Sequence, residues 1–158
     1  MLSYFLLTFF NALFFLIIIA TIFTLKFVSM EFFRIVEIGI TEEIIRRSLT
    51  LNNIENMSSQ LFQLAAPMGR EVSIGSIWGE FTLTCDLING GLRFALVECP
   101  NALTWTITTG FTPLRESVVI HLTINRVQKQ QQFVDEIEEF LDDHVLCLQN
   151  IFSGDSPS

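Results

Sequence analysis

Lysine is nearly missing from this chain: Lys26 and Lys129 stand alone, and the other seven basic residues are scattered arginines. Against 17 acidic residues, that leaves a formal net charge of -8. No basic stripe is available to neutralise phosphates, so nucleic-acid binding is not expected. Cysteine is also sparse. Cys85, Cys99 and Cys147 are odd in number, far apart and set among apolar neighbours, which fits buried free thiols in a reducing compartment better than a disulfide framework or a zinc site. There is no phosphate-binding glycine loop, dinucleotide fingerprint or paired-cysteine metal spacing. No cofactor, no metal and no enzymatic activity are expected on these grounds.

Charge is absent altogether from Met1 to Leu25, a run made almost wholly of Leu, Phe, Ile, Ala and Thr. About 20 such residues in helix would cross a ~30 Å hydrocarbon core, so the run reads as a transmembrane anchor. It is too long, and its start too uncharged, for a cleavable signal. Lys26, Arg34, Arg46 and Arg47 follow it, which places the C-terminal domain on the cytoplasmic, stromal or matrix side. Within the run, Thr8 and Asn11 are three apart and share a helical face where a second membrane helix could be hydrogen-bonded. Membrane lipid and other membrane protein subunits are the partners this implies; no small-molecule ligand is expected. The organisation predicted is a transmembrane helix over 1–28, a juxtamembrane helical segment over 29–69, a sheet-plus-helix domain over 70–152 and a flexible tail over 153–158.

After the span, Glu31, Arg34 and Glu37 recur every third residue in the apolar stretch Phe27 to Ile38, as on one stripe of a helix. Gly39 breaks it. Thr41 before Glu42 and Glu43 has the pattern of an N-cap with acidic residues in the first turn, opening a helix to about Leu49. Ile54 to Ala65 places Ile54, Met57, Leu61 and Leu64 at helical spacing. From Glu71 the period changes to 2. Strands are predicted around Phe81–Leu87, Leu92–Leu96, Leu103–Thr108 and Val118–Ile124, with Asn89-Gly90-Gly91 supplying a tight hairpin and Val72 to Trp78 a short fifth strand. Gln128 to Phe152 alternates apolar and acidic residues as an amphipathic helix does. The fold class is therefore α+β: a transmembrane helix, short helices, a four- or five-stranded antiparallel meander and a C-terminal amphipathic helix packed on one sheet face.

Candidate contact residues fall into two soluble groups. Asp135, Glu138, Glu139 and Asp142 form an acidic helix face able to receive a basic partner; with Asp143 and His144 they lack the spacing of a metal site, since adjacent helical residues point about 100° apart. His121 should project beside a hydroxyl row of Thr104, Thr106 and Thr108, without the orienting acid or the preorganised nucleophile that catalysis needs. Cys99 has no basic neighbour to activate it. These features describe a membrane-anchored accessory or assembly subunit acting through protein–protein contacts. The alternative is a tethered domain that shelters an apolar ligand or client peptide between helix and sheet, near Trp78 and Trp105.

Overall fold

The computed structural model describes residues 29–110, 116–125 and 130–153. Their seven strands form one sheet: β1 (Met30–Val36), β2 (Leu61–Gln63), β3 (Glu71–Ser76), β4 (Gly79–Ile88), β5 (Gly91–Leu96), β6 (Thr104–Thr109) and β7 (Val118–Ile124). The spatial order is β1-β7-β6-β5-β4-β3-β2, and every neighbouring pair is antiparallel. Strands β2 to β7 follow the chain as a meander, and β1 is added beyond the last of them. The helices are α1 (Glu42–Ser48), α2 (Ile54–Met57), which continues a short 3-10 turn at Leu51–Asn53, and α3 (Gln131–Phe152).

Alternation decides which face is buried. Along β7, Val118, Ile120, Leu122 and Ile124 point inward and are buried, while Val119, His121 and Thr123 point out and are not. Trp105 and Ile107 of β6 and Leu92, Phe94 and Leu96 of β5 extend the same apolar surface. Helix α3 covers it with Ile137, Phe140, Leu141, Leu148 and Phe152. Trp105 sits at the centre, its ring 5.3 Å from Phe94 and 5.4 Å from Phe140. Rings at these separations interlock strand and helix as well as burying area. Helix α1 closes one end: the Thr41 hydroxyl caps it by accepting from the Ile44 N–H at 3.3 Å. Glu42 accepts from the Gly90 N–H at 3.1 Å, and Arg46 donates to the Ile88 carbonyl at 2.6 Å, which ties α1 to the β4–β5 hairpin.

Two parts of the sequence reading are corrected. The sheet has seven strands, not four or five, because the segments read as helices around Phe27–Ile38 and Ile54–Ala65 contribute β1 and β2. Glu31 and Arg34 do not share a stripe; they lie on opposite faces of β1, with Phe32 and Val36 buried on the inner side and Phe33 and Ile35 exposed on the outer. Arg34 is tolerated on the inner side because at the sheet edge it reaches carboxylates of α3. The single-pass membrane reading, with its inner-side localisation, is corrected too: among the described residues no helix is long and apolar enough to cross a membrane, and the segment assigned to flank the span is strand. The span itself, with Thr8 and Asn11, lies outside the described residues.

The hairpin glycines divide their work. Only Gly90 takes a positive φ, +88°; Gly91 is required by crowding, since a Cβ there would lie 2.1 Å from the Ile107 carbonyl oxygen. That neighbour is backbone and cannot rotate away. Gly91→Ala is expected to cost about 3 kcal/mol. Gly69→Ala, at φ +62° but in open space, should cost about 1 kcal/mol. Urea midpoints of the two variants at constant slope check the difference; equal midpoints would contradict the crowding at Gly91.

Candidate functional site

The outer face of the sheet is divided. On the β3–β5 side it is charged: Asp86 pairs with Arg70 and lies 3.7 Å from Arg93, and Glu98 accepts from the backbone and hydroxyl of Thr82 at 2.8 and 2.7 Å. On the β6–β7–β1 side charge is scarce. There Thr106 stands opposite His121, Thr104 opposite Thr123 and Thr108 opposite Val119. The predicted group of His121 with three threonine hydroxyls is therefore assembled by strand register.

β1, which the sequence did not predict, completes this surface. Phe33 lies opposite His121 and stacks on it with ring centroids 4.2 Å apart and planes within 2°. Phe33 and Ile35 are each 52 % exposed. Glu31 Oε2 lies 3.6 Å from His121 Nε2, an ion-pair separation too long for a hydrogen bond. No nucleophile and base meet here.

The acidic residues of α3 lie over the other face of the sheet, and several are already engaged. Arg34 Nη2 meets Glu138 at 2.5 Å and Arg34 Nε meets Asp142 at 2.6 Å. Asp135 accepts from Gln131 at 2.8 Å, and Glu139 stands one position from Glu138, farther round the helix. On the opposite flank, Asp143 accepts from the Ser58 hydroxyl, the Ser59 hydroxyl and the Ser59 N–H at 2.5, 2.5 and 2.8 Å, while Glu136 accepts from the Trp78 indole at 3.2 Å. The predicted acidic face is thus in part a set of ties between α3 and its neighbours. The two candidate groups do not touch each other. They meet at β1, one through Phe33 on the outer face and the other through Arg34 on the inner.

His144 is the residue whose place the sequence misjudged most. Set among acids in the sequence, it is fully buried, 5.8 Å from the Trp105 ring and 4.3 Å from Phe140. The signal was there: Ile137, Phe140 or Leu141, His144 and Leu148 follow the spacing of three and four that marks a buried stripe. Its Nδ1 lies 3.0 Å from the Phe140 carbonyl oxygen; a carbonyl only accepts, so Nδ1 carries the proton and Nε2 a lone pair. Ser58, Asp143 and His144 are close, yet the serine donates straight to the carboxylate with no imidazole between them. That order cannot activate a hydroxyl. Cys85, Cys99 and Cys147 are free thiols, and burial pushes Cys85 up to about 11, away from a reactive thiolate. Among the described residues no cluster of three His, Cys, Asp or Glu side chains could hold a metal. An open cleft of about 440 Å³ between α2 and β2 is lined mainly by amides; of these, Asn53 is spent on Thr50 and Ser48.

Burial pushes His144 down to about 4, with the Phe140 carbonyl and Asp143 opposing in part. The fold therefore holds the neutral ring. Its stabilisation is complete above the ordinary value near 6.5 and is lost as pH falls towards 4, at about 1.4 kcal/mol per pH unit and about 3 kcal/mol in total. Asp143 is desolvated, but the hydrogen bonds from Ser58 and Ser59 outweigh this and hold its carboxyl below the usual range. Its contribution is lost only at lower pH. Urea unfolding between pH 7 and 4.5 should show the decline, and His144→Leu should flatten it over that window. A wild-type stability that is level from pH 6.5 to 4.5 would refute the buried neutral ring.

No protein-family model matches the chain, and no curated protein matches it. Solved structures do. The protein XoxI from Bacillus cereus superposes with a TM-score of 0.57 at 11 % identity, over 77 % of this chain and 94 % of that one. A putative uncharacterized protein from Bacillus thuringiensis gives a TM-score of 0.55 at 9 % identity, over 79 % and 98 %. At such identities the likeness is one of fold.

Proposed function

We propose that this domain is a non-catalytic accessory module that works through protein–protein contacts made at β1 and the low-charge half of the outer sheet face. The observation that carries the reading is the pair Phe33 and Ile35, half exposed on an edge strand and continuous with Val119 and the Phe33–His121 stack. Large apolar side chains side by side on a sheet edge favour association, which natural proteins otherwise suppress with charge, proline or a bulge. The alternative role, sheltering an apolar ligand between helix and sheet, gains no support from that layer, because Trp105, Phe94, Phe140 and His144 fill it.

Replacing Phe33 with a photo-crosslinking phenylalanine analogue in the source cells tests the reading. One discrete adduct larger than the 18.0 kDa chain is expected, containing a single protein partner by mass spectrometry and abolished by Ile35→Lys. The same analogue at Ser73, exposed on the far side of the sheet, should give none. Absence of an adduct at Phe33, or equal adducts at both positions, would overturn the proposal.

A further inference from the structure

We infer that the partner supplies an extended segment bearing lysine or arginine, which adds to β1 as an eighth strand. This rests on the reading of the domain as a protein-binding module and says how the partner is held. The two ends of the sheet differ. At the β2 end the donors are spent: the Leu61 N–H bonds to the Ser58 carbonyl at 3.4 Å, and the Gln63 N–H to Glu55 at 3.0 Å. At the other end β1 offers seven residues in unbroken register with β7, Met30 to Val36, with no proline, lysine or bulge. In an antiparallel edge strand, alternate backbone N–H and C=O groups point away from the neighbour and can take a further strand; among the described residues no strand pairs there, and one carbonyl of β1, that of Phe33, accepts from the Arg34 side chain at 3.0 Å and keeps its second lone pair.

The chemistry of that strand follows from what flanks the edge. Its side chains would alternate between the two sides of the sheet. On the outer side they would lie beside Phe33 and Ile35, which calls for apolar residues. On the inner side they would meet the flank of α3 that overhangs β1, where Asp135, Glu138 and Asp142 recur at spacings of three and four on one stripe, with Glu139 adjoining. Arg34 demonstrates the reach: from β1 it already contacts Glu138 and Asp142 at 2.5 and 2.6 Å. Arg34 pairs with Glu138 and Asp142, one positive charge against the three carboxylates of that stripe, and Glu139, farther round the helix, adds a fourth negative charge to the exposed face, so this flank is net negative, and a cation at alternate positions of the incoming strand complements it. A second copy of β1 suits the site less well, because its inward residues are Met30, Phe32, Arg34 and Val36, with the one cation committed.

The test uses the full chain and a labelled, acetylated nonapeptide alternating valine with lysine, against a control alternating valine with glutamate. The lysine peptide should bind at least about tenfold more tightly by fluorescence anisotropy, and the Asp135→Asn, Glu139→Gln double variant should weaken it about tenfold. Both substitutions are on the exposed helix face, so an unchanged urea midpoint shows that the variant is folded. Amide hydrogen exchange should slow in β1 on binding and stay constant in β2. Equal affinity for the two peptides, or binding without slowed β1 exchange, overturns the inference. So does β1 protection already present in the free chain, whether in a particle of twice the chain mass (a second copy) or in a monomer (the chain's own residues on the edge). A specific Phe33 adduct in cells together with any of these results would refute strand addition alone; absence of that adduct would refute the module reading itself.

Discussion

The whole structure depends on one inner sheet face being sealed by one helix. Six meandering strands and an added first strand all present their apolar residues to the same side, and α3 is the main element laid across it. Trp105 is where the seal is tightest, since it contacts a strand neighbour, Phe94, and two residues of the helix, Phe140 and His144. An aromatic core of this kind has little freedom to shift, because interiors are packed to near-crystalline density and each ring fixes its neighbours. Placing an imidazole within it has a consequence: the ring is held neutral, and its one proton is committed to the helix backbone.

Polar ties outside this seal hold both flanks of the helix. Arg34 holds one flank of α3 to β1, while Asp143 and Glu136 hold the other to the Ser58–Ser59 turn and to Trp78. Exposed ion pairs taken singly contribute little, typically below about 1 kcal/mol. These lie on opposite sides of one helix and tie it to three different neighbours. The outer face needs no such cover, and its two halves differ accordingly. Salt bridges and carboxylate hydrogen bonds occupy the β3–β5 half; hydroxyls, Val119 and the Phe33–His121 stack occupy the half that ends in an open strand edge. Among the described residues, the half with few charges is also the half whose outermost strand, β1, has no further strand paired to it.

Much of this was legible in the residues. The alternation from Glu71 onward located β3 to β7; Thr41 was recognisable as a cap, and the apolar stripe of α3 as a buried face. β1 and β2 were not legible, for different reasons. β1 carries apolar residues on both faces and an arginine on the inner one, so the period of 2 is erased, and short apolar runs do not distinguish strand from helix. β2 is three residues long, and Leu61 and Leu64 fall at helical spacing by accident. The surface proposed for contact was half visible. His121 and the threonines followed from strand alternation, but Phe33 and Ile35 could not be placed beside them until β1 was a strand.

What the sequence determined by itself is every feature that rests on local periodicity or local chemistry: the strands with one apolar face, the amphipathic helix, the capped start of α1 and the hairpin glycines. What only the tertiary structure decided is the pairing of the first described strand with the last, and everything that follows from it. Arg34 meets two carboxylates more than a hundred residues away, and Phe33 finds His121 across a strand boundary. Such contacts depend on which distant segments can be buried together, and burial is a property of the assembled layers that no window of sequence contains.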